Sequence, residues 1–118
     1  MHGFSNTTLD AVRTKIRRFR IDNIELVPGY FEKTFPKFPA DVRFSFAHID
    51  VNLCDSYREC LHFFYPRIEP GGVILFDEYN DPPWPGCNKA VDEFLADKPE
   101  RLEMICQDNY QKWYLVKK

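Results

Sequence analysis

Residues 42–78 read VRFSFAHIDVNLCDSYRECLHFFYPRIEPGGVILFDE. Val42 to Ile49 is rich in β-branched and aromatic residues, which predicts a strand ending at Asp50. Ser56-x-x-Glu59 has the spacing of a capping box and predicts a helix with Tyr57, Cys60, Leu61 and Phe64 on its apolar face. Pro66 closes that helix, because proline disfavours helical geometry in the residue before it. Pro70-Gly71-Gly72 predicts a turn. Val73-Ile74-Leu75-Phe76 is an unbroken apolar run into Asp77-Glu78, the pattern of a strand buried on both faces. Strand, helix and strand in this order make one βαβ unit with a parallel strand pair. The chain is therefore read as α/β.

On the N-terminal side, Asn6 or Thr7 is placed to cap a first helix that carries Leu9, Val12, Ile16 and Phe19 on one face. Arg13, Lys15, Arg17, Arg18 and Arg20 read as a solvated face of that helix rather than a phosphate site. Ile24-Glu25-Leu26-Val27 predicts a short strand stopped by Pro28-Gly29, and Tyr30 to Phe38 a helical turn broken by Pro36 and Pro39. On the C-terminal side, Asp81-Pro82-Pro83-Trp84-Pro85 is a stiff loop. A helix following Gly86 turns Cys87, Ala90, Val91, Phe94 and Leu95 inward and ends at Pro99. Leu102–Cys106 and Trp113–Val116 alternate and predict an antiparallel hairpin. No repeat, low-complexity tract or linker divides the sequence, so one domain over residues 1–118 is expected.

Composition narrows the function classes. Hydrophobic residues make up 44% and charged residues 29% of 118, the balance of a globular chain with a core. Sixteen Lys and Arg against eighteen Asp and Glu argue against a dedicated nucleic-acid binder. With no apolar run near the roughly 20 residues of a membrane helix and no signal-peptide core after Met1, a soluble, cytoplasmic chain without a membrane partner is expected. Cys54, Cys60, Cys87 and Cys106 are too scattered for a zinc site or a redox dithiol and are expected to be buried, reduced thiols.

In open α/β sheets ligands bind beyond the carboxyl ends of the strands. Here two neighbouring parallel strands end in acids, Asp50 on one and Asp77 with Glu78 on the other. Asn52 adds an amide oxygen. Three carboxylates brought together repel one another unless a cation lies between them, and hard oxygen donors suit Mg²⁺ or Ca²⁺. The alternative is that Asp50 or Asn52 simply caps the helix that follows. Leu75-Phe76-Asp77-Glu78 also mimics a Walker B strand, but no G-x-x-x-x-G-K-[ST] loop accompanies it, and no G-x-S-x-G is present. His48 reads as a satisfied core histidine inside its strand.

Four runs then occur in order: Ala47-His48-Ile49-Asp50-Val51-Asn52-Leu53, Phe64-Tyr65-Pro66-Arg67, Pro70-Gly71-Gly72-Val73-Ile74-Leu75-Phe76-Asp77-Glu78-Tyr79, and Pro85-Gly86-Cys87-Asn88-Lys89-Ala90-Val91-Asp92-Glu93-Phe94. Together with Val27-Pro28-Gly29-Tyr30-Phe31-Glu32-Lys33-Thr34-Phe35-Pro36, they resemble the macrocin O-methyltransferase family of class I S-adenosylmethionine-dependent enzymes, over roughly residues 8–118. The resemblance implies a Rossmann-like fold: a partial doubly wound, mostly parallel sheet with a C-terminal antiparallel hairpin. It implies Mg²⁺-assisted methyl transfer to a hydroxyl of a sugar or natural-product acceptor, with Asp50, Asp77 and Glu78 as metal ligands. The cation would hold and acidify the hydroxyl.

The same resemblance gives Asn52 the place of a catalytic base that is usually an Asp, and an amide cannot take up that proton. Gly29 and Tyr30 would lie near the adenine of S-adenosylmethionine. Family members begin with two strands and a helix that carry a glycine-rich cofactor loop, and this chain is expected to start after them. The missing strands would separate residues 24–27 from 43–49 by a gap of roughly 10 Å or more. Closure is expected by pairing 24–27 directly with 43–49, or by self-association into a homodimer or higher homo-oligomer. Two readings follow. One is an O-methyltransferase or its C-terminal half; the other is a non-catalytic remnant of the fold that binds itself or a partner.

Overall fold

The apolar run Val73–Phe76 lies at the middle of a four-stranded sheet. A computed structural model describes residues 8–51, 53–77, 79 and 86–118, with the backbone alone at 86, 87 and 107. The described chain clusters into two compact units, one up to Lys37 and one from Phe38 onward.

In the first unit, α1 spans Leu9–Arg18. Its cap is Thr8, whose Oγ1 accepts from the Ala11 amide at 3.1 Å, a residue later than the sequence placed it. Val12 and Ile16 are half-buried, whereas Leu9 and Phe19 are exposed and the basic residues stay in solvent. The short helix α2, Phe31–Thr34, follows Gly29 and runs into a 3-10 turn over Phe35–Lys37. Residues 24–27, expected as a strand, lie outside any ladder among the described residues. Four residues cut off by Pro28-Gly29 hold strand geometry only when a neighbour takes their hydrogen bonds.

The second unit carries the βαβ unit. Strand β1 is Phe44–Ile49, α3 is Cys54–Phe64, and β2 is Ile68–Phe76. Helix α4 covers Gly86–Leu95, and the hairpin strands are β3, Glu103–Gln107, and β4, Tyr110–Val116. The sheet order is β1-β2-β4-β3, with β1 parallel to β2 and the other two pairs antiparallel. This is the Rossmann-like α/β arrangement, with a mixed sheet once residues 24–27 are left out of it. Among the described residues β1 pairs with β2 alone.

One face of the sheet forms the core. Ala47, Ile49, Ile74, Phe76 and Leu115 point to the same side and are buried with Tyr57, Cys60 and Leu61 of α3 and with Ala90 and Val91 of α4. Helix α3 starts two residues before Ser56, with Leu53 at its cap and no side-chain cap bond, so the capping-box pattern does not operate. Phe63 is the buried ring at its C-terminal end, and Phe64 is half-buried against Phe44.

Pro70-Gly71-Gly72, expected as a turn, is a bulge within β2. The register passes from Phe44↔Ile68 to Phe46↔Val73, which leaves extra residues on β2. Gly71 adopts φ +86, and its amide and the Gly72 carbonyl bond the backbone of Lys117 at 2.7 and 2.8 Å. Gly72 is packed so closely that a Cβ there would stand 2.8 Å from the Ser45 carbonyl oxygen.

Candidate active site at the strand ends

Parallel pairing brings Asp50 and Asp77 together. Ile49 and Phe76 are partners in register, and the Asp77 amide donates to the Ile49 carbonyl at 3.0 Å. Each acid is therefore the first residue past its strand. Tyr57 of α3 donates its hydroxyl to the same Ile49 carbonyl at 3.3 Å and so steadies the end of β1. The register thus sets Asp50 and Asp77 side by side at the carboxyl end of the parallel pair.

Two further residues converge on Asp77. Lys112 Nζ donates to its Oδ1 at 2.8 Å and lies 3.4 Å from its main-chain oxygen. His48 Nε2 stands 3.2 Å from that same Oδ1. Burial pushes the Asp77 carboxyl up, but the bonds from Lys112 and His48 and the Lys112 charge outweigh it, so it lies below its ordinary value. His48 is exposed, not a core residue: it alternates with the buried Ala47 and Ile49 and so faces the other side of the sheet. Lys112 reaches the site because β4 pairs antiparallel to β2 with Trp113 opposite Phe76, which sets Lys112 beside Asp77.

Nearby, Tyr79 ties the segment after β2 to α4. Its hydroxyl donates to Asp92 Oδ1 at 2.7 Å, and its ring lies 5.2 Å from that of Trp113. Burial and the Asp92 carboxylate push this phenol up to about 12. Asn52 and Glu78 lie outside the described residues, as does the proline loop with Trp84.

The donor chemistry at Asp50 and Asp77 fits a hard divalent cation, since both present carboxylate oxygens at one point. Among the described residues that set stops at two carboxylates, and no group of three acidic, His or Cys side chains forms a metal cluster. Gly29 and Tyr30 belong to the first unit. Gly29 adopts φ +128 at the entry to α2, and the carbonyl of the exposed Tyr30 accepts from the Lys33 and Thr34 amides. Of the cysteines, Cys60 is buried and Cys54 half-buried, but Cys106 is exposed on β3, contrary to the expectation of a buried thiol. No helix among the described residues is long and apolar enough to cross a membrane.

The sequence profile of the macrocin-O-methyltransferase (TylF) family matches residues 2–115. The chain is 30% identical over 101 residues to demethyldecarbamoylnovobiocin O-methyltransferase of Streptomyces niveus, covering 84% of this chain and 37% of that protein. It is 30% identical over 90 residues to mycinamicin III 3''-O-methyltransferase of Micromonospora griseorubida, covering 75% of this chain and 34% of that protein. The solved O-methyltransferase NovP superposes with a TM-score of 0.78 at 27% identity, over 95% of this chain and 46% of that one. The chain thus spans under half the length of each of these three proteins.

Proposed function

The chain belongs to the macrocin-O-methyltransferase (TylF) family, and from that premise we propose that it serves S-adenosylmethionine-dependent methyl transfer to a hydroxyl of a sugar or natural-product acceptor. The observation that supports this reading is the meeting of Asp50 and Asp77 at the carboxyl ends of two adjacent parallel strands. Relatives named as O-methyltransferases of demethyldecarbamoylnovobiocin and of mycinamicin III agree with it.

In this reading Asp50 and Asp77, with Glu78, hold a Mg²⁺ on the acceptor side. When bound, S-adenosylmethionine supplies an electrophilic methyl group and the cation supplies Lewis acidity. The hydrogen bond from the Asp77 amide to the Ile49 carbonyl fixes the backbone of Asp77 at the end of its strand, so its carboxylate is presented from a set position. Asn52 contributes hydrogen bonds and takes up no proton. Gly29 and Tyr30 would lie at the adenine, where an exposed aromatic ring next to a sharp turn offers a stacking surface. The partner is a small molecule in the cytoplasm, and no nucleic acid is required by a chain of net charge −2.

A second reading is a non-catalytic module that associates with itself. The edge of β1, with Phe46 55% exposed beside it, supports it. Calorimetric titration of S-adenosylmethionine into the chain, with and without Mg²⁺, separates the two. Binding of the cofactor supports the transferase. A chain that binds neither ligand at roughly millimolar concentration, yet sediments as a dimer, supports the module instead.

A further inference from the structure

Asp77 Oδ1 is the atom on which the site turns, and a lysine already occupies it. Lys112 Nζ is at 2.8 Å, the distance of a charge-assisted hydrogen bond. The contact is supported by a second approach to the main-chain oxygen of the same residue. Lys112 sits on β4 and Asp77 just past β2, and the fixed register between those strands sets the two residues side by side. The lysine nevertheless keeps 40% of its side chain in solvent, and its stem is a flexible chain of four carbons.

Resting on the transferase reading above, we infer that Lys112 is a built-in competitor for the divalent cation: its ammonium neutralises Asp77 and must be displaced from Oδ1, or share it, before Asp50 and Asp77 can ligate a metal. Between them the two carboxylates carry two negative charges, and Lys112 cancels one. A cation entering beside Asp77 meets a positive group within a few ångströms, and like charges at that range repel. Removing the ammonium frees one lone-pair site and doubles the net negative charge these three side chains present. The prediction has a definite sign: deleting Lys112 tightens metal binding, although it removes a contact that holds Asp77 still.

The test is Mn²⁺ binding to the full chain, read by calorimetry and by the electron paramagnetic resonance signal of free Mn²⁺, without cofactor or acceptor. Wild type is compared with Lys112→Met, Lys112→Gln and Lys112→Arg, with circular dichroism confirming that each is folded. The two neutral variants are expected to bind Mn²⁺ about tenfold more tightly than wild type or more, and the charge-conserving arginine to stay near wild type. Wild-type binding with neutral variants that are no tighter, or weaker, overturns the competitor role and leaves the transferase reading standing. Absence of binding by every variant up to about 10 mM Mn²⁺ overturns the role and the metal reading together. Binding that survives in an Asp50→Asn/Asp77→Asn double variant does the same, by placing the ion elsewhere.

Discussion

Lys112 Nζ lies 2.8 Å from Asp77 Oδ1, although the two residues are 35 positions apart in the chain. This contact joins the C-terminal hairpin to the carboxyl end of the central strand, next to the Phe76↔Trp113 pair. With side chains 40% and 30% exposed, the pair is partly screened by water. A double-mutant cycle of Lys112→Met and Asp77→Asn, read as urea midpoints without metal, is expected to give a coupling of about 0.5–1 kcal/mol. The coupling should shrink in roughly 1 M salt, where the screening length falls to about 3 Å. A salt-independent value would mean that the contact acts through packing rather than charge.

The bulge in β2 makes a second, paired prediction. At Gly72 an added Cβ would lie 2.7 Å from Ile68 Cγ2, 2.8 Å from the Ser45 carbonyl oxygen and 2.9 Å from that of Glu69. Two of these three are backbone atoms that cannot turn aside. At Gly71 nothing lies within 4 Å, but φ is +86. Gly71→Ala therefore costs only the left-handed backbone, about 1–2 kcal/mol. Gly72→Ala should cost more, about 2–4 kcal/mol, because β1 and β2 must separate at the start of their ladder. Thermal melts of the two variants check the order; equal losses would mean that the bulge relaxes around the methyl group.

How much of this was legible in the sequence depends on which partner decided each element. The run Val73–Phe76 carries its own punctuation at Asp77, and its strand ends where the pattern put it, although it starts earlier, at Ile68. Asp50 and Asp77 follow from the same reading, because a βαβ unit forces parallel strands and parallel strands end side by side. Residues 24–27 have strand-like side chains but no ladder partner among the described residues, and pairing is not a local property. Ser56 and Glu59 match a capping spacing, yet the helix starts at Cys54 and the pattern falls inside its first turn. Lys112 was invisible for a different reason. Only the register of β4 against β2 sets it opposite Asp77, and no spacing within the chain encodes that register. His48 could have been placed by the alternation of β1, which sends Ala47 and Ile49 inward and the residue between them out.

Thiol chemistry should distinguish the cysteines. Burial, with a contribution from Glu59, pushes the Cys60 thiol up to about 12, so near neutral pH it holds almost no thiolate and is shielded from reagent. Cys106 is exposed on β3, and its thiol lies 3.9 Å from the Asp108 carbonyl. Iodoacetamide applied to the native chain, followed by peptide mapping, is expected to label Cys106 well before Cys60. Denaturant should bring Cys60 to the ordinary rate. Early labelling of Cys60 in native buffer would show that α3 opens locally from the sheet.

The pair Tyr65 and Glu100 should leave a mark on both limbs of the pH–stability curve. Glu100 is only 4% exposed, and its carboxylate accepts from the Tyr65 hydroxyl at 2.6 Å and from the Lys118 amide at 3.0 Å. Burial pushes the acid up, but these two bonds and the Lys117 charge outweigh it and hold Glu100 below its ordinary 4.5. A carboxyl lowered in the folded state stabilises the fold above its unfolded value, and that stability drains away as pH falls through the lowered one. Tyr65 moves the opposite way: burial and the bond to Glu100 raise it from 10.0 to about 12. Its contribution is complete below pH 10 and is lost as pH rises through about 12. Glu100→Gln should therefore flatten the acid limb and weaken the alkaline one, while Tyr65→Phe removes the alkaline contribution and shortens the acid one. At neutral pH Tyr65→Phe is expected to cost about 1.5–3 kcal/mol, the range for a hydrogen bond to a charged group. Urea midpoints measured from about pH 3 to about pH 11 read all three effects, and an acid limb unchanged in Glu100→Gln would assign the acid loss to other carboxylates.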